Sequence, residues 1–382
     1  MTSAPTERGL GFVPQLDSIV PYVPGASAES VRNRYGLDDV VKLASNEFPL
    51  PPFDEVKAAV TAALDTLNRY PDGSCVALRE DLARRYGRTV DQVAVGNGSC
   101  ELLIWLGCAL LQPGDEAVMP HPSFLLYEDI CLQHGARPVA VRVREHRLDL
   151  EAMLAAIGPR TKIVFVCNPN NPTGTYIPAT RLGEFVAAVP GNVLVVIDEA
   201  YNEFVTSADW QDALALQAQH QNVMILRTFS KIYGLCGLRV GYGLCAPAVT
   251  AAIDKVRQPF NVNHLAQVAA REALRHEDQM LERRRGNAAR RSYLERELAD
   301  CGRAFVPSEA NFMLVATGGL CRPQEQVCAT LMSMGSIVRD GNAFGYPGWA
   351  RVSVGTTSEI DFFLAHLRSL QVTGEPVPGG CR

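Results

Sequence analysis

Lys231 lies in the run Ser230-Lys231-Ile232-Tyr233-Gly234-Leu235-Cys236-Gly237-Leu238-Arg239-Val240-Gly241, directly behind the apolar stretch 223–229. A lysine leaving a buried strand, set between a serine and glycines with an arginine further on, suits a plain surface poorly. It suits a cofactor that needs an amine to form an imine, and cations to hold a phosphate, which points to pyridoxal phosphate (PLP). Three further turns follow or end strand-like runs. Gly96-Asn97-Gly98-Ser99-Cys100-Glu101 opens a helix, where free backbone N–H groups and the helix dipole favour an anion. Asn168-Pro169-Asn170-Asn171-Pro172-Thr173-Gly174 is a proline-stiffened turn. Asp198-Glu199-Ala200-Tyr201 puts a carboxylate at the end of an apolar strand, where it is costly unless paired. A pyridinium nitrogen would pair it, and a helix N-cap role would also satisfy it. Singly, each run has an ordinary reading as a turn, a cap or a surface lysine. Together, in this order and each with a strand before it, they argue against coincidence.

The elements that must position these residues alternate. Helical patterning is expected over 56–67, 99–111 and 124–134, and strands over 93–95, 116–119, 138–143, 162–167, 193–198, 223–229 and 238–243. Continuous Val/Ile/Leu runs alternating with helices predict a mostly parallel sheet covered on both faces. In such a sheet the strand C-termini line one crevice, so turns distant in sequence converge there. Past residue 270 a charged helix is expected over 271–298, followed by short strands at 311–315, 336–339 and 350–354. Its arginines, interleaved with acids, read as a solvated face rather than a nucleic-acid patch. The predicted organisation is an arm (1–30), a large PLP-binding domain (68–270), a small α/β domain (31–67 and 271–370) and a flexible tail (371–382).

The bulk composition sets outer bounds. The chain has 382 residues, 47% hydrophobic and 20% charged, which allows two domains and a substantial core. A net charge of −5 gives no electrostatic reason to expect nucleic acid or an acidic membrane as partner. The 11 cysteines are scattered without a Cys-x-x-Cys pair, and the 7 histidines form no metal-binding signature. They fit small buried residues in a reducing cytoplasm. The N-terminus lacks the basic-then-apolar plan of a signal peptide. The most apolar helical run, 102–111, falls short of the ~20 residues of a membrane span.

From about Tyr22 to Leu370 the chain resembles fold-type I, aspartate-aminotransferase-like PLP enzymes, and among them is most similar to histidinol-phosphate aminotransferases. The resemblance is carried by Lys42-Leu43-Ala44-Ser45-Asn46-Glu47-Phe48-Pro49, Arg69-Tyr70-Pro71-Asp72, Gly96-Asn97-Gly98-Ser99 and the Asn168 and Asp198 runs. Arg227-Thr228-Phe229-Ser230-Lys231, Gly237-Leu238-Arg239-Val240-Gly241, Ser308-Glu309-Ala310-Asn311-Phe312, Val338-Arg339-Asp340 and Arg351-Val352-Ser353-Val354-Gly355 complete it. It implies that Lys231 forms the internal imine and then shuttles a proton. Asp198 would hold the pyridinium nitrogen, while Asn171 and Tyr201 would bond the cofactor's 3′-oxygen. Phe124 would stack on the ring where the family usually has tyrosine. Ser230, Arg239 and the backbone N–H groups of Ser99 and Cys100 would bind the phosphate. Tyr70 would reach that phosphate from the other subunit of a homodimer. Cys100 stands where an acidic residue is common in the family. Arg351 would grip a substrate carboxylate, a match for its planar guanidinium. Arg339, helped by Tyr22, would bind the phosphate of the substrate.

The implied reaction is ping-pong transamination of L-histidinol phosphate, an amino donor, with the 2-oxo acid 2-oxoglutarate, as in histidine biosynthesis. Because histidinol phosphate has no α-carboxylate, Arg351 would act fully on glutamate or help hold the phosphate. Competing readings are an aromatic (phenylalanine-type) or specialised-pathway aminotransferase, a PLP decarboxylase of a phosphorylated amino acid, and a PLP-binding sensor domain.

Overall fold

In the computed structural model, residues 11–21, 23–320 and 326–370 are described. Tyr22 and the tail from 371 to 382 lie outside them. Among the described residues twelve strands are found: β1 (Val41–Leu43), β2 (Val93–Gly96), β3 (Glu116–His121), β4 (Arg137–Arg142), β5 (Thr161–Cys167), β6 (Leu194–Asp198), β7 (Val223–Thr228), β8 (Gly241–Leu244), β9 (Phe305–Val306), β10 (Phe312–Ala316), β11 (Ser336–Asp340) and β12 (Trp349–Ser353). Seven form a large sheet in the order β2-β8-β7-β6-β5-β3-β4, and five a smaller one in the order β1-β11-β12-β10-β9.

The large sheet is parallel from β4 through β7, and β8 runs antiparallel to both its neighbours. Its central strands are buried throughout because their side chains alternate between two cores. In β5, Ile163, Phe165 and Cys167 face one core while Val164 and Val166 face the other. In β6, Val196 shares the core of Phe165, and Val195 and Ile197 share that of Val164. The register pairs Cys167 with Asp198 and Asp198 with Leu226, so β5 and β6 end at one level and β7 runs on from there to Thr228. The turns carrying Asn171, Tyr201 and Lys231 therefore leave the same edge.

The smaller sheet draws on distant segments: β1 pairs in parallel with β11, which continues antiparallel into β12 and β10. The helix Thr357–Ser369 covers it with Ile360, Phe363, Leu364 and Leu367, and its start is fixed by a Thr356/Glu359 capping box. Segment 31–67 is shared between the two layers. Leu43 belongs to the core of the small sheet, whereas Phe53 and Val56 pack into the core of the large one.

Three expectations from sequence need correction. The strand expected over 238–243 starts only at Gly241, because Arg239 takes a left-handed backbone (φ 63°) that ends extended geometry before it. The helix expected over 271–298 is two helices, His264–Ala273 and Glu277–Asp300, and the first packs on the helix Asp54–Ala63. On the second, Arg285 and Arg296 are exposed as a solvated face would have them, but Arg283 and Arg291 turn inward. Arg283 is 9% exposed and donates to the carbonyls of Ile232, 2.9 Å away, and Pro51. Arg291 is also buried and reaches Thr206 Oγ1 at 2.8 Å. Loop carbonyls and hydroxyls need donors when solvent is excluded, and guanidinium forks supply several from one side chain.

Candidate active site

Lys231 leaves the end of β7 through Phe229 and Ser230. Its Nζ donates to the backbone carbonyl of Asn46 at 3.2 Å and lies 5.4 Å from the centre of the Tyr201 ring. Burial, then the nearby Arg351 cation, pull its pKa down from 10.5 to about 8. Arg283, bonded to the carbonyl of Ile232, holds the loop just past the lysine. Asn46 is held by Ser353 Oγ at its N–H (2.9 Å), so β12 of the small sheet is tied to the segment that meets the lysine.

Asp198 ends β6 and is 4% exposed. One carboxylate oxygen accepts from Tyr127 Oη at 2.8 Å and the other from the Ala200 N–H at 3.2 Å. Burial pushes its pKa up, and these two bonds and Lys231 oppose that push. An uncompensated buried carboxylate costs several kcal/mol, so this site favours a cation against Asp198. Tyr201 Oη accepts from Asn46 Nδ2 at 2.9 Å, and burial raises its phenol pKa.

The glycine turn after β2 opens the helix Ser99–Leu110, whose N-cap Gly98 provides no side-chain cap. The first N–H groups are thus left for another acceptor. Arg239 faces this turn: its Nη1 reaches Ser230 Oγ at 3.3 Å and the Cys236 carbonyl at 3.0 Å. The positive φ of Arg239 folds its guanidinium back toward Ser230. A Cβ on Gly98 would collide with Arg239 Nη2, and one on Gly241 would collide with the Ser99 nitrogen and stand 2.8 Å from the Gly98 carbonyl carbon. Two glycines therefore keep open a concave, N–H-lined cradle beside a serine and an arginine, which fits a phosphate.

A cavity of about 410 Å³ joins these parts, with Lys231, Asp198, Tyr201, Asn171 and Phe124 toward one end and Ser99, Cys100, Ser230 and Arg239 toward the cradle. A flat cationic ring carrying an aldehyde and a phosphate, as PLP does, finds an amine, a carboxylate, an aromatic ring and an anion cradle here. A second cavity of about 420 Å³ shares Lys231, Asn171, Tyr201 and Phe124 and adds Arg339 and Arg351. These two arginines stand opposite one another in the β11–β12 register, so their side chains leave the same face as neighbours. Arg351 donates to Asn171 Oδ1 at 2.6 Å and to the Ala44 carbonyl at 2.7 Å. Arg339 donates to the carbonyl of Val23 at 3.3 Å.

Tyr70 stands apart from both cavities, 81% exposed and stacked on Phe260 at 4.6 Å. Asn46 and Tyr127 were missed by the reading of the sequence. The left-handed backbone of Asn46 (φ 53°), tolerated by asparagine, is a structural sign of a special position. Tyr127 sits with Ile130 and Cys131 on the buried face of its helix and resembles any core aromatic. Among the described residues no His/Cys/Asp/Glu group could hold a metal ion, and no helix is long and apolar enough to cross a membrane.

The family profile for aminotransferases of class I and II matches residues 38–367. The histidinol-phosphate aminotransferase of Moorella thermoacetica is 45% identical over 354 residues, covering 92% of this chain and 91% of that protein. That of Brevibacillus brevis is 41% identical, covering 92% and 96%. The crystal structure of histidinol-phosphate aminotransferase from Sinorhizobium meliloti in complex with pyridoxal-5′-phosphate superposes with a TM-score of 0.87 at 30% identity, covering 96% of this chain and 98% of that one. With a profile match over most of its length and relatives this similar end to end, the chain belongs to the class I and II aminotransferases.

Proposed function

We propose that this chain transfers the amino group between L-histidinol phosphate and 2-oxoglutarate, by a ping-pong route, as a cytoplasmic step of histidine synthesis. Its relatives at 45% and 41% identity carry that name, and PLP is the cofactor of the solved relative. The observation that carries the substrate is the pairing of Arg339 with Arg351 across β11 and β12, facing the cavity of Lys231. Two adjacent guanidinium groups match a phosphate dianion in one half-reaction and carboxylates in the other.

Bound PLP supplies an electron sink for the bond broken at the substrate α-carbon. Lys231 Nζ would hold the cofactor through its aldehyde and would move the proton at the substrate α-carbon. Its lowered pKa suits that work near neutrality. Asp198 keeps the ring nitrogen protonated, with Tyr127 and Ala200 fixing its two oxygens. Asn171 and Tyr201 bond the 3′-oxygen, and Phe124 covers the ring. Ser230, Arg239 and the N–H groups of Ser99 and Cys100 hold the phosphate. Cys100, where the family often has an acid, needs only its N–H for this.

The chain works as a homodimer in which Tyr70 of a second copy completes the phosphate site. Tyr70 is exposed and stacked on the likewise exposed Phe260, the kind of apolar surface that a partner covers. Within each chain the site lies between a large domain (68–270) and a small one (31–67 and 271–370), with the helix Asp54–Ala63 across the seam. Tyr22, in the arm (1–30), helps Arg339 bind the substrate phosphate in this reading.

The test is spectral conversion of the PLP-loaded enzyme by single amino donors. Histidinol phosphate and glutamate are expected to convert it fully. Faster conversion by phenylalanine, or release of carbon dioxide from a phosphorylated amino acid without glutamate formed, would overturn the reading.

A further inference from the structure

Around its reacting carbon, histidinol phosphate carries an amine, a phosphorylated arm and an imidazole arm. With the amine at Lys231 and the phosphate at Arg339 and Arg351, the imidazole must meet the remaining wall of the 420 Å³ cavity. The rest of its lining includes Ile104, Leu125 and Leu126 together with Asp129, the one carboxylate among the described residues that line it. Asp129 is half-buried in the first turn of the helix Leu126–Gln133. Among the described residues its side chain has no hydrogen bond or ion pair, and burial, then Glu128, raise its pKa. An acid in a first helical turn can simply answer the helix dipole. The exposed Glu128 beside it already does so from the solvent side. A second carboxylate held against an apolar wall, without a donor, is instead placed to accept one from a ligand.

We propose that Asp129 selects the imidazole ring, its carboxylate accepting a ring N–H while Ile104, Leu125 and Leu126 pack the ring faces. This rests on the reading of histidinol phosphate as substrate and deepens it. A site that bonds a substrate N–H discriminates strongly against an isostere lacking it. Glutamate carries no such donor on its side chain, so its half-reaction gains nothing from Asp129.

The test compares L-histidinol phosphate with L-phenylalaninol phosphate, the same arm with an apolar ring, and with glutamate. Wild type, Asp129→Ala and Asp129→Asn are each followed in single half-reactions of the PLP-loaded enzyme and by calorimetric binding to the apoprotein. Wild type should prefer imidazole over phenyl. Asp129→Ala should lose roughly 10- to 100-fold on histidinol phosphate alone, the range of a hydrogen bond to a charged group, and Asp129→Asn should recover part of it. An equal loss on all three ligands marks a structural role and overturns the assignment, as does no loss on any. Wild type that converts with glutamate but neither binds nor converts with histidinol phosphate overturns the substrate reading itself. That outcome is distinct from wild-type preference for imidazole with an unaffected Asp129→Ala.

Discussion

In the proposed reaction Lys231 would be a nucleophile toward an aldehyde and a base toward a carbon acid, and both roles need the neutral amine. An ordinary lysine has too little of it at neutral pH; at a pKa of about 8, roughly a tenth is free at pH 7. The causes are burial, then the cation of Arg351, which disfavours a second charge nearby. The sign follows: the free fraction rises as pH rises through about 8. The rate at which apoprotein takes up PLP is therefore expected to climb between pH 7 and 9 with a midpoint near 8. Arg351→Met removes a cation that lowers the lysine, so its midpoint should move up. A rate flat over this range, or a midpoint that moves down in the variant, would contradict the assignment. Lys231, Asp198 and Arg239 were legible in the sequence because each is a charge where the surrounding pattern calls for apolar or turn residues. Asn46 and Tyr127 were not, because their meaning lies in partners far along the chain: Tyr201 for the first and Asp198 for the second.

At the scale of elements, the anion cradle is a meeting of β8 with the N-terminus of the helix Ser99–Leu110. The two approach so closely that Gly241 has no room for a side chain, and the group it would strike is the Ser99 nitrogen. Backbone cannot yield as a flexible side chain can, so Gly241→Ala should push the helix N-terminus off the phosphate. A misfit of this kind costs about 1–3 kcal/mol, which predicts PLP binding weaker by about 10-fold or more in a spectral titration of apoprotein. Gly286→Ala, on the helix Glu277–Asp300, serves as control, since it meets only the far end of Arg290 at 3.3 Å. The central strands were legible because burial on both faces leaves unbroken apolar runs, as in 193–197. The start of β8 was not, since Leu238-Arg239-Val240 alternates like a strand. What ends it is the left-handed turn that aims Arg239 at Ser230, a tertiary demand that local pattern does not carry. The inward arginines of 283–291 were hidden for the same reason, as their acceptors are loop carbonyls and hydroxyls from other parts of the chain.

At the scale of the whole molecule, the proposed site draws on two chains. Every proposed cofactor contact converges on the 410 Å³ cavity except Tyr70, which lies on the surface against Phe260. The sequence carries the Arg69-Tyr70-Pro71-Asp72 motif but no sign of which chain it serves, and a closed two-fold dimer would let each copy give Tyr70 to the other. Subunit complementation separates the alternatives. Lys231→Ala homodimers should be inactive, and Tyr70→Phe homodimers should load poorly at limiting PLP. If Tyr70 crosses the interface, a mixed dimer places both lesions in one site and leaves the other intact. Random mixing after dissociation would then restore about a quarter of wild-type activity. If Tyr70 serves its own chain, each site of the mixed dimer keeps one lesion and mixing restores nothing. Sizing chromatography run alongside should show dimers for both variants, so that a missing recovery reports on Tyr70 rather than on failed assembly.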